Sequence, residues 1–210
     1  MASISAKILM ALSGLFLMGF LLVHLLGNLQ IYAGPEVFNA YPETLRHYPV
    51  LLWTARVLLI LAFTLHILTS IYLSTKNKAA RPVAYAQKHS VQASLASRTM
   101  LLGGLVILGF LLFHLAHLTW RWVFPEYAAL DLYTLTVLSF QNSLVAAFYV
   151  LAQVFLALHL SHGFSSAAQT LSLTRWCATT FRFAGYAFAL AITLGYVSIP
   201  VSIWLGLVHA

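Results

Sequence analysis

Five long apolar stretches, roughly residues 7–31, 50–74, 98–123, 143–169 and 181–207, constrain this chain more than anything else in it. Each is long enough for an α-helix to cross the hydrocarbon core of a bilayer, which takes about 20 residues. Of the 210 residues, 61% are hydrophobic, more than one globular core can bury, and only 7% are charged. A soluble domain carries about 25% charged residues. Lipid is therefore the solvent for most of these side chains. In lipid each backbone N–H and C=O must be satisfied internally, so the stretches read as helices. The expected fold is all-α, one integral membrane domain over residues 1–210 built as a five-helix transmembrane bundle.

Between the stretches lie polar or proline-containing connections, such as Ala33-Gly34-Pro35-Glu36, Lys76-Asn77-Lys78-Ala79-Ala80-Arg81-Pro82 and Pro125-Glu126. The connection from Thr75 to Ser97 is the longest and has room for a short amphipathic stretch on the membrane surface. The first apolar run begins after Lys7 and is too long for the core of a cleaved signal peptide, so it is expected to stay as an anchor. Tyr32, Trp53, Trp120, Trp122 and Tyr127 fall near the span ends, where amphipathic rings favour the interface.

Basic residues set the direction. With the N-terminus inside, the inner side holds Lys7, Lys76, Lys78, Arg81, Lys88, Arg98, Arg175 and Arg182. The outer side then holds Arg46, Arg56 and Arg121, with all four acidic residues, Glu36, Glu43, Glu126 and Asp131. The positive-inside rule selects this arrangement, with an outer C-terminus, and the expected location is a cytoplasmic (inner) membrane. The formal charge of +7 is spread too thinly for a nucleic-acid-binding face, so no nucleic acid partner is expected.

The single cysteine, Cys177, excludes an intrachain disulfide and ligation of an iron–sulfur cluster by this chain alone. There is no C-x-x-C-H for covalent haem attachment. The first and third spans share a segment: Gly14, Leu15, Gly19, Phe20, Leu21, Leu22, His24 and Leu25 recur as Gly104, Leu105, Gly109, Phe110, Leu111, Leu112, His114 and Leu115. Leucine matches carry little weight in lipid-facing sequence. Two glycines and a histidine in register carry more. The second and fourth spans share only a Leu-His pair, Leu65-His66 and Leu158-His159.

Ionisable side chains are costly inside a membrane, so each one needs a reason. His24, His66, His114 and His159 place one histidine in each of four consecutive spans. A lone intramembrane histidine is ordinarily a helix–helix hydrogen bond. Four, one per span, argue for more. His24 is 17 residues from Lys7 and His114 is 16 from Arg98, so both lie about 25 Å from the inner boundary at 1.5 Å per residue. His66 lies ten residues before Lys76 and His159 ten before Gln169, so both lie about 15 Å from it. Two pairs at two depths result.

Two facing neutral imidazoles in an apolar bundle are what a six-coordinate haem iron requires, the porphyrin supplying the other four nitrogens. The bundle is thus expected to enclose two haems b, with Arg or Lys near a membrane face available to their propionates. Zinc would need three or four ligands at one depth. His117 and His162 each lie three residues after a ligand candidate, on nearly the same face, and each could replace it. His114 and His159 are preferred because the Leu-His context recurs and their depths match more closely. The spare pair fits hydrogen bonding to a propionate, a quinone or a neighbouring helix. His47, His89 and His209 fall in connections or at the terminus, where solvated histidine is the ordinary state.

The chain resembles the dihaem cytochrome b membrane subunit of succinate:quinone oxidoreductases, of the single-chain five-helix type. The resemblance covers essentially the whole sequence. It rests on His24-Leu-Leu-Gly-Asn28, His66 within Leu-His-Ile-Leu-Thr-Ser-Ile-Tyr72, His114-Leu-Ala-His117 and, most strongly, His159-Leu-Ser-His-Gly163-Phe-Ser-Ser-Ala-Ala-Gln-Thr-Leu171. It implies an outer haem on His24 and His114 and an inner haem on His66 and His159. It further implies a flavoprotein subunit and an iron–sulfur subunit docked on the cytoplasmic face. These would carry out the succinate or fumarate chemistry and exchange electrons with a quinone, menaquinone being expected, through this non-catalytic electron-transfer subunit. Some similar fumarate reductases carry a glutamate two residues before the fourth ligand, where this chain has Ala157. A quinone site is expected beside His24 and His114, with Glu36 and Glu43 as candidate proton carriers. The competing readings are another dihaem transmembrane cytochrome b reductase and a haem-free proton-coupled transporter that uses the histidines as relays.

Overall fold

A computed structural model describes residues 2–80, 95–175 and 177–210. The described residues are helical almost throughout. Five helices are long and apolar enough to cross a membrane, so the chain is a multi-pass membrane protein by length and composition. They are α1 (Ala2–Asn28), α3 (Pro49–Ala79), α4 (Leu95–His114), α6 (Ser143–Thr170) and α7 (Ala178–Trp204). Two shorter helices, α2 (Pro35–His47) and α5 (Leu132–Gln141), occupy connections that carried no helical expectation. Arg81, Tyr85, Lys88 and His89, and most of the connection in which a surface stretch was anticipated, lie outside the described residues.

Local sequence chemistry sets the boundaries. Pro35 and Pro49 open α2 and α3 at the first helical position, where a missing N–H costs nothing. Gly34, at φ 95°, makes the turn between α1 and α2 in a region that a Cβ disfavours. Asp131 caps α5 by accepting from the Thr134 N–H, and Asn142 caps α6 by accepting from the Leu144 and Val145 N–H groups. α3 continues past the expected Ser74 to Ala79 and carries Lys76 and Lys78 in its last turn, where the helix dipole favours cations.

The third span ends earlier than its apolar run. After His114 the helix widens into one π-turn, Leu115–Thr119, closed by the Trp120 N–H donating to the Leu115 carbonyl at 2.8 Å. Arg121 then adopts φ 58°, a left-handed conformation that no helix continues through. Its guanidinium donates to the Ala128 and Leu130 carbonyls at 2.8 and 2.6 Å, which holds the reversed chain in place. Trp122 and Val123 are therefore not part of the helix, although hydropathy alone included them.

α1 packs along α3 and α6, α6 along α4 and, most extensively, α7. The order around the bundle is α3, α1, α6, α4, with α7 against the α6/α1 side. Close approach depends on small residues. A Cβ on Gly185 of α7 would come within 3.1 Å of the Ser161 carbonyl of α6, and one on Gly195 within 2.7 Å of the Leu25 side chain of α1. One apolar cluster, including Met18, Leu25, Leu156, Leu160 and Ile192, fills the space between α1, α6 and α7. A second, including Ile31, Phe38, Tyr133, Val137, Phe140 and Tyr149, lies under α2 and α5 and closes one end of the bundle. Tyr133 there donates its hydroxyl to the His209 carbonyl at 3.0 Å, so the C-terminus returns to the same end.

Candidate functional site: two histidine pairs inside the bundle

The four singled-out histidines meet as two pairs. The ring centres of His24 (α1) and His114 (α4) are 6.0 Å apart with planes at 86°. Those of His66 (α3) and His159 (α6) are 6.1 Å apart at 64°. In the order α3, α1, α6, α4, each pair crosses a diagonal. It joins two helices that have no extended packing against each other, so the imidazoles are the groups that meet across the interior.

The glycines of the repeat set the depths. A Cβ on Gly14 of α1 would lie 3.2 Å from Cε1 of His66, and one on Gly104 of α4 3.7 Å from Cε1 of His159. The imidazoles of His66 and His159 thus each rest on bare backbone of the neighbouring helix. Gly14 and Gly104 precede His24 and His114 of their own helices by ten residues, so the pairs are offset by about 15 Å along the helices. The count from basic residues gave about 10 Å. The glycine contacts are the firmer measure, because they join neighbouring helices directly, whereas the count used a different landmark residue on each helix. Gly19 and Gly109, midway between the levels, face open space, with nothing within 4 Å of where a Cβ would stand.

Two imidazoles have a defined partner at Nδ1. His66 Nδ1 lies 3.4 Å from the Ser13 hydroxyl, which itself donates to the Leu9 carbonyl at 2.7 Å. His114 Nδ1 lies 3.3 Å from the Tyr149 hydroxyl. With Nδ1 engaged, each of these rings can present Nε2 to a ligand. Nδ1 of His159 is buried with no hydrogen-bond partner. Phe20 stacks on His24 at 5.2 Å and Tyr196 lies 6.2 Å from it, with the Tyr196 hydroxyl donating to the Leu21 carbonyl at 2.8 Å.

The spare histidines are placed differently. His117 falls within the π-turn, and its Nδ1 meets the same Tyr149 hydroxyl as that of His114. A one-residue widening of this kind recurs at functional sites. His117 points into a box formed by Phe113, Phe124, Phe140 and Tyr149 and is 1% exposed. His114 and His117 thus both face Tyr149 of α6. His162 is partly buried on α6, one turn beyond His159. The role of Tyr149 was not visible in the sequence. Its position ten residues before His159 matches the spacing of the two levels, the one signal that pointed to it.

The donor set fits a haem at each level. Two imidazoles opposed across one metal, with metal–nitrogen bonds of about 2 Å, have ring centres about 6 Å apart. Among the described residues no three His, Cys, Asp or Glu side chains converge, so each pair is all that those groups offer at its level. A porphyrin iron takes two axial imidazoles and no more.

At the closed end, Asn39 of α2 donates to Asp131 at 2.7 Å and accepts from the Tyr133 N–H at 3.0 Å. The Asp131 carboxyl is held down to about 2, first by the Thr134 hydroxyl and then by the Thr134 N–H and the Asn39 amide. Comparison with protein-family models, with curated proteins and with solved structures finds no match for this chain.

Proposed function

We propose that this chain is the membrane-anchoring dihaem cytochrome b subunit of a succinate:quinone oxidoreductase. It would carry electrons between an iron–sulfur subunit on the cytoplasmic face and a quinone, with menaquinone the expected one. The observation that supports this best is the pair of ring separations, 6.0 Å for His24–His114 and 6.1 Å for His66–His159, across two diagonals of one apolar bundle. A haem-free relay has no need of histidines opposed in twos at two levels.

In this reading His24 and His114 hold one haem b, and His66 and His159 the other. Bound there, the two groups would supply one-electron redox centres at two depths of the bilayer. The chain's own contribution is to hold four neutral imidazoles, orient two of them through Ser13 and Tyr149, and exclude water with apolar helices. The flavoprotein and iron–sulfur partners would carry the succinate or fumarate chemistry. Lys76 and Lys78, in the last turn of α3 at the end away from α2 and α5, offer cationic contacts for them.

The test is pyridine haemochrome analysis of the purified chain together with identification of co-purifying subunits. Two haems b per chain, with a flavin-bearing and an iron–sulfur protein, is the expected result. A haem c signal or a haem-free protein would overturn the reading. Two haems b with no such partners would move it to another dihaem cytochrome b reductase.

A further inference from the structure

The Tyr149 hydroxyl lies between His114, the last residue of α4, and His117 of the π-turn that follows, 3.3 Å from Nδ1 of the former and 2.9 Å from Nδ1 of the latter. Tyr149 is 7% exposed, and the rings of Phe110, Phe113 and Phe140 enclose it. Nε2 of His117 is buried and has no partner. This polar group is sealed inside an aromatic box, and three side chains must share their protons within it.

We propose that Tyr149 is a positioning residue for His114 and that His117 sets the direction of the Tyr149 hydroxyl. The inference rests on the dihaem reading, because it concerns which nitrogen His114 offers a metal. To present an unprotonated Nε2, His114 must carry its proton on Nδ1 and donate it to the tyrosine oxygen. Tyr149 has one proton of its own, and His117 Nδ1 is the acceptor within reach. The hydroxyl donates there. His117 therefore carries its proton on Nε2, the nitrogen left without a partner.

The opposite direction has a different consequence. If His117 donated from Nδ1 and Tyr149 donated to His114, the His114 proton would sit on Nε2 and block coordination. The directional chain from His114 through Tyr149 to His117 is thus what prepares His114. It also gives the buried His117 a role other than ligand. His117 sits in the π-turn at Leu115–Thr119, and both histidines face Tyr149 of α6. Losing such an outer partner costs about 10–100-fold in metal affinity. A hydrogen-bonded Nδ1–H also makes the ring a stronger donor, which favours oxidised iron.

The experiment compares wild type, Tyr149→Phe, His117→Leu and His117→Gln by haem content, low-spin EPR and redox titration, using the full chain with any subunits that co-purify. His24→Ala identifies the signal of the His24/His114 haem. Tyr149→Phe should weaken retention of that haem roughly 10–100-fold. It should also shift the EPR signal and raise the midpoint potential of what remains, leaving the other haem unchanged. His117→Leu should shift the same signal with both haems present. His117→Gln, whose carbonyl can accept from Tyr149, should restore it.

If Tyr149→Phe does not accumulate, the two His117 variants decide. Unchanged signals and potentials in His117→Leu would overturn the proposal. So would loss of one haem in His117→Leu with both retained in His114→Ala, since His117 would then be the ligand. A shift that His117→Gln does not reverse would overturn the directional role of His117. A wild type without two haems b would instead overturn the dihaem reading.

Discussion

The His66 imidazole rests against Gly14 of the neighbouring helix so closely that a methyl group there would come within 3.2 Å of Cε1 and 3.5 Å of Nδ1. Its counterpart, Gly104 against His159, leaves 3.7 Å, an ordinary van der Waals distance. The repeat between α1 and α4 is therefore not functionally even.

Gly14→Ala should displace His66, while Gly104→Ala should leave His159 in place. Overpacking of this kind costs about 1 kcal/mol at its mild end. Thermal unfolding in detergent should show a lower Tm for Gly14→Ala and a near-normal one for Gly104→Ala. The spectrum of the His66/His159 haem should change only in the former. Equal effects at the two glycines would mean that the backbone contact does not set the depth of the inner pair.

The pairing across diagonals makes substitutions fall into two sets. His24→Ala and His114→Ala should remove one haem, and His66→Ala and His159→Ala the other, each leaving a single haem b per chain by haemochrome analysis. Loss of the same haem from His24→Ala and His66→Ala would contradict the ring geometry. Retention of both haems in His159→Ala with loss in His162→Ala would transfer the fourth ligand to His162.

The Asn39–Asp131–Thr134 contact gives the closed end a pH dependence. The folded-state carboxyl lies at about 2, below its ordinary 3.8, so the unfolded chain binds the proton more readily. The contribution to stability is present above about pH 4 and is lost as pH falls towards 2. Asp131→Asn should lower Tm at pH 6 through loss of the carboxylate, and the difference from wild type should shrink as the pH is lowered. Asp131→Ala, which also removes the helix cap, should cost about 1 kcal/mol. A gap between wild type and Asp131→Asn that stays constant down to pH 2.5 would argue against the carboxylate as the source.

If quinone reacts beside His24 and His114 at the outer face while succinate is oxidised inside, charge crosses the membrane with each turnover. The coupling is about 2.3 kcal/mol per charge per 100 mV. None of the five long helices contains Asp or Glu, and Ala157 stands where some similar proteins have a glutamate, so no acidic relay in these helices offers compensation. Succinate-driven menaquinone reduction in sealed proteoliposomes should rise with an imposed inside-negative potential and fall when an uncoupler collapses it. Indifference to the potential would move the working quinone site to the His66/His159 level.

The five membrane helices and the four paired histidines were legible in the sequence because lipid imposes a simple code. A spanning helix must be long and apolar, and a histidine inside it stands out against that background. Pairing at two depths followed from counting residues along straight helices. Counting works because the rise per residue of an α-helix is nearly constant.

The contacts decided everything that counting along one helix cannot reach. α2 and α5 form because Gly34, Pro35 and Asp131 start helices in segments too short, and in α2 also too polar, to be read as spans. The third span stops at Thr119 because Arg121 reverses the chain, whatever the hydropathy of Trp122 and Val123. The π-turn at Leu115–Thr119 follows His114 directly and carries His117. Tyr149 joins them from another helix, 32 and 35 residues away in sequence. The sequence by itself determined which stretches are long and apolar enough to cross a membrane and which ionisable side chains fall within them, since a polar group costly to bury in lipid stands out in an apolar run. Only the tertiary structure decided which nitrogen faces which hydroxyl, because that depends on helix rotation, and a widening of one residue changes it.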